Sequence, residues 1–381
     1  MNLKSKVKDS VKNIPGWRTS SRFISIVIDD YCAVRLRSRA ARERMENDIG
    51  GQITNRFDRF DAVESPSDLE LLASTLKSVQ GASGRPGCVT PYVVTRNPDF
   101  IRFREGGYKR FFVEDFSETL GKMESQDPQN YSGLRQSWLQ LVSEGLFKPQ
   151  FHGPEHFNPG LLDVALNNGH AGLLRSLQNE SLIGLGDLPG VGALGWTCSF
   201  DPSLPSEFLS DAIDRLYKGI SAYSAFFKKK PMCFAPSALG FPQSLETKLP
   251  ELGIQWLDAP FVQRTQSGGV LGRRLNWPGK RLAPGLRAVV RNCMFEPGED
   301  GERSVGRVLS EIAAAFRWNK PAIISSHRVN FCGSIDPENR ENGIGHLRVL
   351  LKAIVKNWPD VEFVGVEELP ALLGDKAVAR A

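Results

Sequence analysis

Short apolar runs with strand character alternate with helix-length amphipathic segments along almost the whole chain. Seven of these runs are clear and two are weaker. The clear runs are Phe23–Ile28, Cys88–Val94, Met232–Ala235, Ile254–Leu257, Ala288–Val290, Ala322–Ser325 and Val361–Val364, and the weaker runs are Lys148–Phe151 and Leu182–Leu185. Alternation of this kind predicts an α/β fold with a parallel sheet and crossover helices. Because the series is continuous, it favours one closed or nearly closed barrel over two separate domains.

The segments between these runs predict helices, and several of them begin with Ser, Asp or Pro as helix starts do. They are Ser67–Val79, Tyr131–Glu144, Pro159–Leu177, Ser206–Phe226, Pro242–Leu252, Arg303–Trp318 and Pro337–Trp358. Two further stretches, Gly186–Ser206 and Pro260–Gly285, are predicted to be irregular loop insertions. Their aromatic residues, among them Trp196 and Trp277, suit stacking on a sugar, but loops that only cover the barrel rim are equally consistent with the sequence.

The composition is that of an ordinary globular protein. The 381 residues are 41% hydrophobic and 24% charged, and the net charge of +5 is too small to indicate a dedicated nucleic-acid binder. None of the six cysteines stands in a C-x-x-C arrangement, so reduced and mostly buried thiols are expected. The sequence has neither a membrane-spanning apolar run nor a secretory signal, and a cytoplasmic location is therefore expected.

Residues 1–22 form a basic segment with a thin apolar stripe. Leu3, Val7, Val11 and Ile14 recur at helical spacing among lysines and arginines. One interpretation is a basic amphipathic helix in weak contact with an anionic membrane surface. The other is a short helix packed on the edge of the domain. Residues 23–373 are expected to form the barrel domain, and residues 374–381 a C-terminal tail.

Polar side chains with metal-binding chemistry follow three of the apolar runs. Asp29 and Asp30 come directly after the first run, and His152 and His156 lie at and just beyond the run that ends at Phe151. His327 follows the run Ala322–Ser325, and the chain has only five histidines in all. The ends of strands are where barrels and open α/β sheets place their sites.

A carboxylate and two neutral imidazoles make a ligand set for a catalytic divalent metal. Three protein ligands leave one coordination position open for a substrate or water. Either motif alone is weak, since histidine pairs are often surface or core residues and an aspartate after a strand often caps the next helix. Their conjunction predicts a metal site, for which zinc fits best, although cobalt, nickel or iron accept the same ligands.

These motifs resemble those of polysaccharide deacetylases, the family-four carbohydrate esterases. The resemblance is carried by Ile28-Asp29-Asp30-Tyr31, His152-Gly-Pro-Glu-His156-Phe-Asn, the segment around Pro236 and Ser326-His327-Arg328, which occur in the family's order. It covers about residues 14–370. It implies an α/β fold of the distorted (β/α)7-barrel type, a single domain with irregular loop insertions.

The resemblance also implies roles for individual residues. Asp30, His152 and His156 are implied to be the metal ligands, Asp29 the catalytic base and His327 the general acid. The chemistry is consistent with this division, because one carboxylate can bind the cation while its neighbour accepts a proton from water. The alternative for His327 is a histidine that only caps a strand through hydrogen bonds.

The sequence departs from the family pattern at two places. The family's arginine two residues before the proline is replaced by Phe234 in Phe234-Ala235-Pro236. Arg291 is predicted to supply the missing guanidinium, and Arg291 and Pro236 are taken as candidate substrate-binding residues. Gly153 also replaces the usual Ser or Thr after the first histidine, and with Pro154 and Pro159 nearby, the two histidines are expected on a short turn.

The function that these observations favour is metal-dependent removal of N-acetyl groups from a sugar or polysaccharide precursor. An acetylated sugar or glycan is therefore the expected partner, and no nucleic acid is expected. Two alternatives remain at this stage. One is a metal-dependent hydrolase of another amide or ester, and the other is a catalytically weak barrel that binds a glycan or a partner protein.

Overall fold

The structure is a computed structural model that describes residues 10–267 and 270–373. The first nine residues of the predicted basic segment and the predicted tail, residues 374–381, lie outside the described residues. Fourteen strands lie within the described part of the chain. They are β1 (Arg22–Tyr31), β2 (Thr90–Val94), β3 (Arg96–Pro98), β4 (Val113–Asp115), β5 (Gln150–Gly153), β6 (Cys233–Phe234), β7 (Trp256–Asp258), β8 (Val262–Ser267), β9 (Val270–Leu275), β10 (Arg281–Ala283), β11 (Leu286–Val289), β12 (Cys293–Met294), β13 (Ala322–His327) and β14 (Val361–Phe363).

Ten of these strands form one curled sheet. Its order is β10-β11-β7-β6-β5-β2-β1-β13-β12, and β14 pairs with the first residues of β1. All neighbours are parallel except β10, which runs antiparallel to β11. The other strands make two separate two-stranded sheets, β3–β4 and β8–β9. The predicted α/β class with a parallel sheet is confirmed.

The sheet curls around an apolar cluster that six strands share. This interior cluster consists of Trp17, Phe23, Val27, Tyr92, Cys233, Ala235, Trp256, Val289, Ile323, Val364, Val366 and Leu369. Six strands contribute to it, and they surround it as the strands of a β-barrel surround the barrel interior: β1, β2, β6, β7, β11 and β13. Within the described residues no ladder joins β11 to β12, and residues 290–292 cross this seam.

Helices cover the outside of the sheet. They are α1 (Arg39–Ile49), α2 (Arg56–Phe60), α3 (Pro66–Lys77), α4 (Phe100–Glu105), α5 (Phe116–Gln126), α6 (Pro128–Tyr131), α7 (Leu134–Ser143), α8 (Pro159–Asn167), α9 (Ala171–Gln178), α10 (Ala212–Phe227), α11 (Pro297–Asp300), α12 (Arg303–Arg317) and α13 (Pro337–Asn357). The outward residues of β1 pack against this layer in the largest apolar cluster. None of the helices in the described part of the chain is both long and apolar enough to cross a bilayer. All six cysteines are buried, as predicted.

Four predicted elements differ from the structure. Leu182–Leu185 is not a strand: its apolar side chains fill clusters between helices and loops, because a four-residue apolar run fits a buried loop as well as a strand. Pro242–Leu252 forms short 3-10 turns. Pro159–Leu177 breaks into α8 and α9, since Gly169 is left-handed and His170 caps α9. The insertion Pro260–Gly285 contains the hairpin β8–β9 and the strand β10.

Two glycines in α13 give a matched pair for testing how closely this helix packs against the backbone of Asn330. A Cβ at Gly343 would overlap the carbonyl oxygen of Asn330, whereas a Cβ at Gly345 meets nothing within 4 Å. We expect Gly343→Ala to lower the free energy of unfolding by about 3 kcal/mol, because backbone must move to admit the methyl group. Gly345→Ala is expected to raise it by about 0.5–1 kcal/mol, since alanine is the better helix former. Urea unfolding of both variants measures the two effects, and equal effects would contradict the close approach.

Candidate metal centre

The end of β1 directs two consecutive carboxylates to the same site. Phe23 and Val27 point into the interior cluster, so Asp29 points inward by the alternation of a strand and Asp30 would point outward. Asp30 instead has a φ of 75°, in the left-handed region. That conformation costs a residue with a side chain about 1–3 kcal/mol, and it persists where surrounding structure enforces it, often at functional sites. Both aspartates are 5% exposed.

The two histidines lie against Asp30, although not on one common turn. His152 is in β5, and its Nε2 lies 3.2 Å from Oδ1 of Asp30. His156 follows the strand, and its Nε2 lies 3.0 Å from the same oxygen. One ligand atom from each of the three residues lies within 4.8 Å of the other two. The expectation that both histidines lie on a short turn is therefore wrong for His152, because the parallel pairing of β5 with β2 continues from Gln150 to Gly153.

The donor chemistry of these three side chains fits a cation. Nδ1 of His152 lies 2.7 Å from the carbonyl oxygen of Ala235, which can only accept a hydrogen bond, so Nδ1 is the donor. In the neutral imidazole, Nε2 then carries a lone pair, and it faces another acceptor, the Asp30 carboxylate. A cation between them satisfies both, and a carbonyl that orients the outer nitrogen is typical of metal-binding histidines. Pro236 directly follows Ala235 in the chain but does not line the recess, so its role in substrate binding stays a prediction.

The turn that carries His156 is fixed by buried ion pairs. Glu155 is 0% exposed, and its carboxylate lies 3.2 Å from Nη1 of Arg96 and 3.1 Å from Nη1 of Arg215. Burial raises the pKa of Glu155, and the two arginines offset only part of that effect. These contacts orient the turn that carries His156. Asn158 caps α8, because its side chain accepts a hydrogen bond from the backbone N–H of Leu161.

Asp29 is bound by a guanidinium at the seam of the barrel. Nη1 and Nη2 of Arg291 donate to the two oxygens of Asp29 over 2.5 and 2.8 Å, and Nε donates to Asp258 over 2.7 Å. Burial by itself would raise the pKa of Asp29, but Arg291, His152 and His327 together lower it below its ordinary value. Phe234, at the position of the family's arginine, belongs to a second apolar cluster that is separate from the interior cluster. Arg291 thus makes the contact for which it was suggested as a replacement.

His327 lies on the other side of Asp29 and has a carboxylate partner of its own. Its Nε2 is 3.8 Å from Oδ2 of Asp29, and its Nδ1 is 2.6 Å from Oε1 of Glu296. Burial by itself would lower the pKa of His327. The hydrogen bond and charge of Glu296, together with the charges of Asp30 and Asp29, outweigh burial and raise the pKa to about 9. Glu296 is fixed in turn by Asn330 and Arg56. His327 is thus placed for an ion pair with Glu296 and not only for the hydrogen bonds of a strand cap.

Sequence reasoning missed Glu296 and Asp258. Glu296 comes two residues after β12 and Asp258 ends β7, so both stand at strand ends, as the predicted residues do. The sequence pattern that would mark these two strands is weak, because β12 has only two residues and β7 only three. Strands this short give too few alternating positions to mark an inward-facing carboxylate.

A small recess, with a volume of about 20 Å³, adjoins Asp30 and His156, two of the three candidate ligands. Asp61 belongs to its polar wall as well. The rest of its lining is Ala33, Val34, Arg35, Val94, Asn97, Phe157, Leu182 and Trp196. The Arg35 guanidinium lies between the rings of Trp196 and Phe57, at 5.3 and 5.4 Å from their centres. Trp196 of the predicted insertion is therefore at the site and not elsewhere on the rim.

No protein-family model matches the sequence, and no curated protein sequence matches it. Solved structures do resemble it. A protein described as a glycoside hydrolase/deacetylase from Parabacteroides distasonis has 10% identity and a TM-score of 0.47, over 94% of this chain and 72% of that one. A protein described as a polysaccharide deacetylase from Mycobacterium smegmatis has 11% identity and a TM-score of 0.42, over 95% of this chain and 92% of that one.

A 4-alpha-glucanotransferase from Thermococcus litoralis also resembles the structure, with 11% identity and a TM-score of 0.45. The match covers 91% of this chain but spans only 40% of the length of that enzyme. Polysaccharide deacetylases, the family that the motifs resemble, are thus among the solved structures similar to this chain. Activity, substrate and metal do not follow from likeness at this level, and they rest on the side chains described above.

Proposed function

We propose that the protein is a divalent-metal-dependent hydrolase that removes the acetyl group of an N-acetylated sugar or glycan. The observation that carries the proposal is the grouping around Asp30. Two imidazole nitrogens face its carboxylate within 3.2 Å, and a carboxylate paired with arginine and a histidine paired with glutamate stand beside it. Ligands, base and acid are the three parts that amide hydrolysis at a metal requires.

Asp30, His152 and His156 would bind the metal, and two nitrogen ligands with one oxygen ligand fit zinc best. A divalent cation there would supply Lewis acidity, which polarises the acetyl carbonyl and lowers the pKa of water. Asp29 accepts the proton of the attacking water. Its pKa is low and its two oxygens are bound by Arg291, so it is ionised and fixed at neutral pH.

His327 donates a proton to the departing nitrogen. An amine leaves poorly unless it is protonated, and a histidine whose pKa is raised to about 9 carries that proton at neutral pH. Glu296 fixes the ring through Nδ1, which leaves Nε2 free to act toward the site. The apolar part of the recess, with Val94, Phe157 and Leu182, suits the acetyl methyl group, and Trp196 offers a ring face to the sugar.

The ligand set predicts the metal content directly. We expect the purified protein to bind about one divalent metal ion per chain and His156→Ala to lose most of it, since a two-ligand site binds weakly. Elemental analysis after dialysis against a chelator-treated buffer measures both. His346→Ala is the matched control, because His346 lies in α13 and bonds only to the carbonyl of Asn342 among the described contacts. Equal metal in wild type and His156→Ala would contradict the ligand assignment.

Acetate release tests the activity. The metal-free protein is reloaded with zinc, cobalt or nickel and incubated with N-acetylglucosamine oligomers and with O-acetylated sugars. Metal-dependent release of acetate from the amides supports the proposal. Release from the esters alone would assign an esterase, and no release from either class with full metal occupancy would favour the glycan-binding alternative.

A further inference from the structure

Arg291 lies between two strands and not within one, so contacts with other side chains have to orient its guanidinium. It lies in residues 290–292, which cross the seam where no ladder joins β11 to β12 in the described part of the chain. Its guanidinium nevertheless lies inside the barrel, with only 9% of the side chain exposed. It reaches β1, which stands on the far side of β12 and β13 in the sheet order. Something other than regular sheet pairing must therefore fix this side chain.

Asp258 is placed to do so. It is 1% exposed at the end of β7, and the pairing of β7 with β11 sets it opposite Val289, two residues before Arg291. Its Oδ2 accepts the hydrogen bond from Nε of Arg291 over 2.7 Å. The Nε atom carries a single N–H, so this bond fixes the plane of the guanidinium and leaves both terminal nitrogens directed at Asp29.

The two bonds to Asp29 also lie in the plane of the guanidinium, but Asp29 is the group that has to be positioned and cannot serve as its own support. Ser325 accepts from Nη1 over 2.8 Å, but that nitrogen also donates to Asp29. The ring of Tyr92 lies 5.4 Å from the guanidinium carbon and supports one face of it. Among the described contacts, only Asp258 engages Nε. A second buried carboxylate next to Asp29 is also costly in itself, because burial and the charge of Asp29 both disfavour its ionised form.

We propose that Asp258 is a positioning residue for the reaction: it orients Arg291, and through Arg291 it fixes the Asp29 carboxylate at the candidate metal centre. The inference rests on the proposed function for its kinetic consequence, but its geometric part stands on the contacts alone. Asp258 touches neither the ligands nor the recess beside them. Its hydrogen bond leads to Arg291, and its other neighbour, Tyr92, lies against the same guanidinium, so its effect is expected to pass through Arg291.

The kinetic test is a double-mutant cycle. We expect Asp258→Ala to lower kcat about tenfold to a hundredfold with KM and metal content unchanged, because small misplacement of a reacting group has effects of that size. Asp258→Asn, which keeps the shape and one acceptor, should lose less. In an Arg291→Ala background, Asp258→Ala should cause no further loss, since its only route of action is gone. Losses that multiply across the two positions would overturn the proposal.

Glu246→Gln is the matched control, because Glu246 is a 3% exposed carboxylate paired with Arg274 near the β8–β9 hairpin and outside the site. Its kcat should equal that of the wild type.

The Nε–H signal of Arg291 in a nitrogen-15 NMR spectrum gives a readout that needs no activity. It should exchange slowly with water in the wild type, remain slow in Ser325→Ala and become fast in Asp258→Ala. Slow exchange in Asp258→Ala would overturn the proposal, whereas an inactive wild type with the expected NMR pattern would refute only the deacetylase function.

Discussion

Replacement of Asp29 by asparagine is expected to lower the rate of acetate release about 10³-fold while the protein keeps its metal. The side chain accepts both terminal donors of Arg291 and has no contact with His156 among the described residues. Asparagine is close in size but cannot accept a proton from water, and its amide group would face the guanidinium donors. The substitution therefore removes the base and leaves the three candidate ligands in place.

Asp30→Asn is the matched comparison, because the two aspartates are consecutive and equally buried. It should lose metal as well as activity, since Asp30 Oδ1 is the oxygen that both histidines face. Elemental analysis and acetate release, measured on both variants, separate the two roles. If Asp29→Asn loses the metal and Asp30→Asn retains it, the assignment of the two aspartates is reversed.

Much of the sheet could be predicted because its strands are buried on both faces. Such strands form continuous apolar runs, and β1 and β13 were recognised within a few residues of their ends. The turn that redirects Asp30 could be predicted only in outline, because Asp29 and Asp30 directly follow the first apolar run and are expected to act at one site. The seam at residues 290–292 could not be predicted, since nothing in a local sequence shows which two strands fail to pair.

The candidate ligands and the proposed base and acid could be picked out because each of them follows an apolar run in the sequence. Their partners were harder to find, because each partner is distant along the chain. Arg291 is suggested as the partner of Asp29 by the family resemblance, but Asp258 meets Arg291 only after the sheet has curled. Glu155 likewise contacts Arg96 and Arg215 on two other elements. Buried carboxylates require such partners, but a single sequence does not say which of the 48 arginines and lysines supplies them.

His327 and Glu296 make the pH dependence of the reaction predictable. Burial lowers the pKa of His327 and Glu296 raises it to about 9, above the ordinary histidine value of 6.5. The acid is therefore protonated below that pH, and the rate should fall as the pH rises through it. The stability that the charged pair contributes is fully present below about 6.5, the ordinary value, and is lost over the same alkaline range.

Glu296→Gln removes the charge and keeps a hydrogen-bond acceptor for the ring. We expect the alkaline limb of kcat to move down by about one to two pH units, because the neighbouring anion is what favours the protonated form. A divalent cation at Asp30 would lower the pKa of His327 in both proteins, so the test compares the alkaline limb of the variant with that of the wild type. His327→Ala should abolish the limb and lower the rate about 10²-fold or more on an N-acetyl sugar.

Glu299→Gln is the control for this shift, because Glu299 is an exposed carboxylate in α11, three residues from Glu296. Its pH profile should match that of the wild type. The same profiles measured on an O-acetyl sugar separate the role of the acid from that of the fold, since an alkoxide needs less help than an amine to leave. A Glu296→Gln profile that coincides with the wild type on both substrates would mean that His327 does not supply the proton, and the general acid would have to be another group at the site.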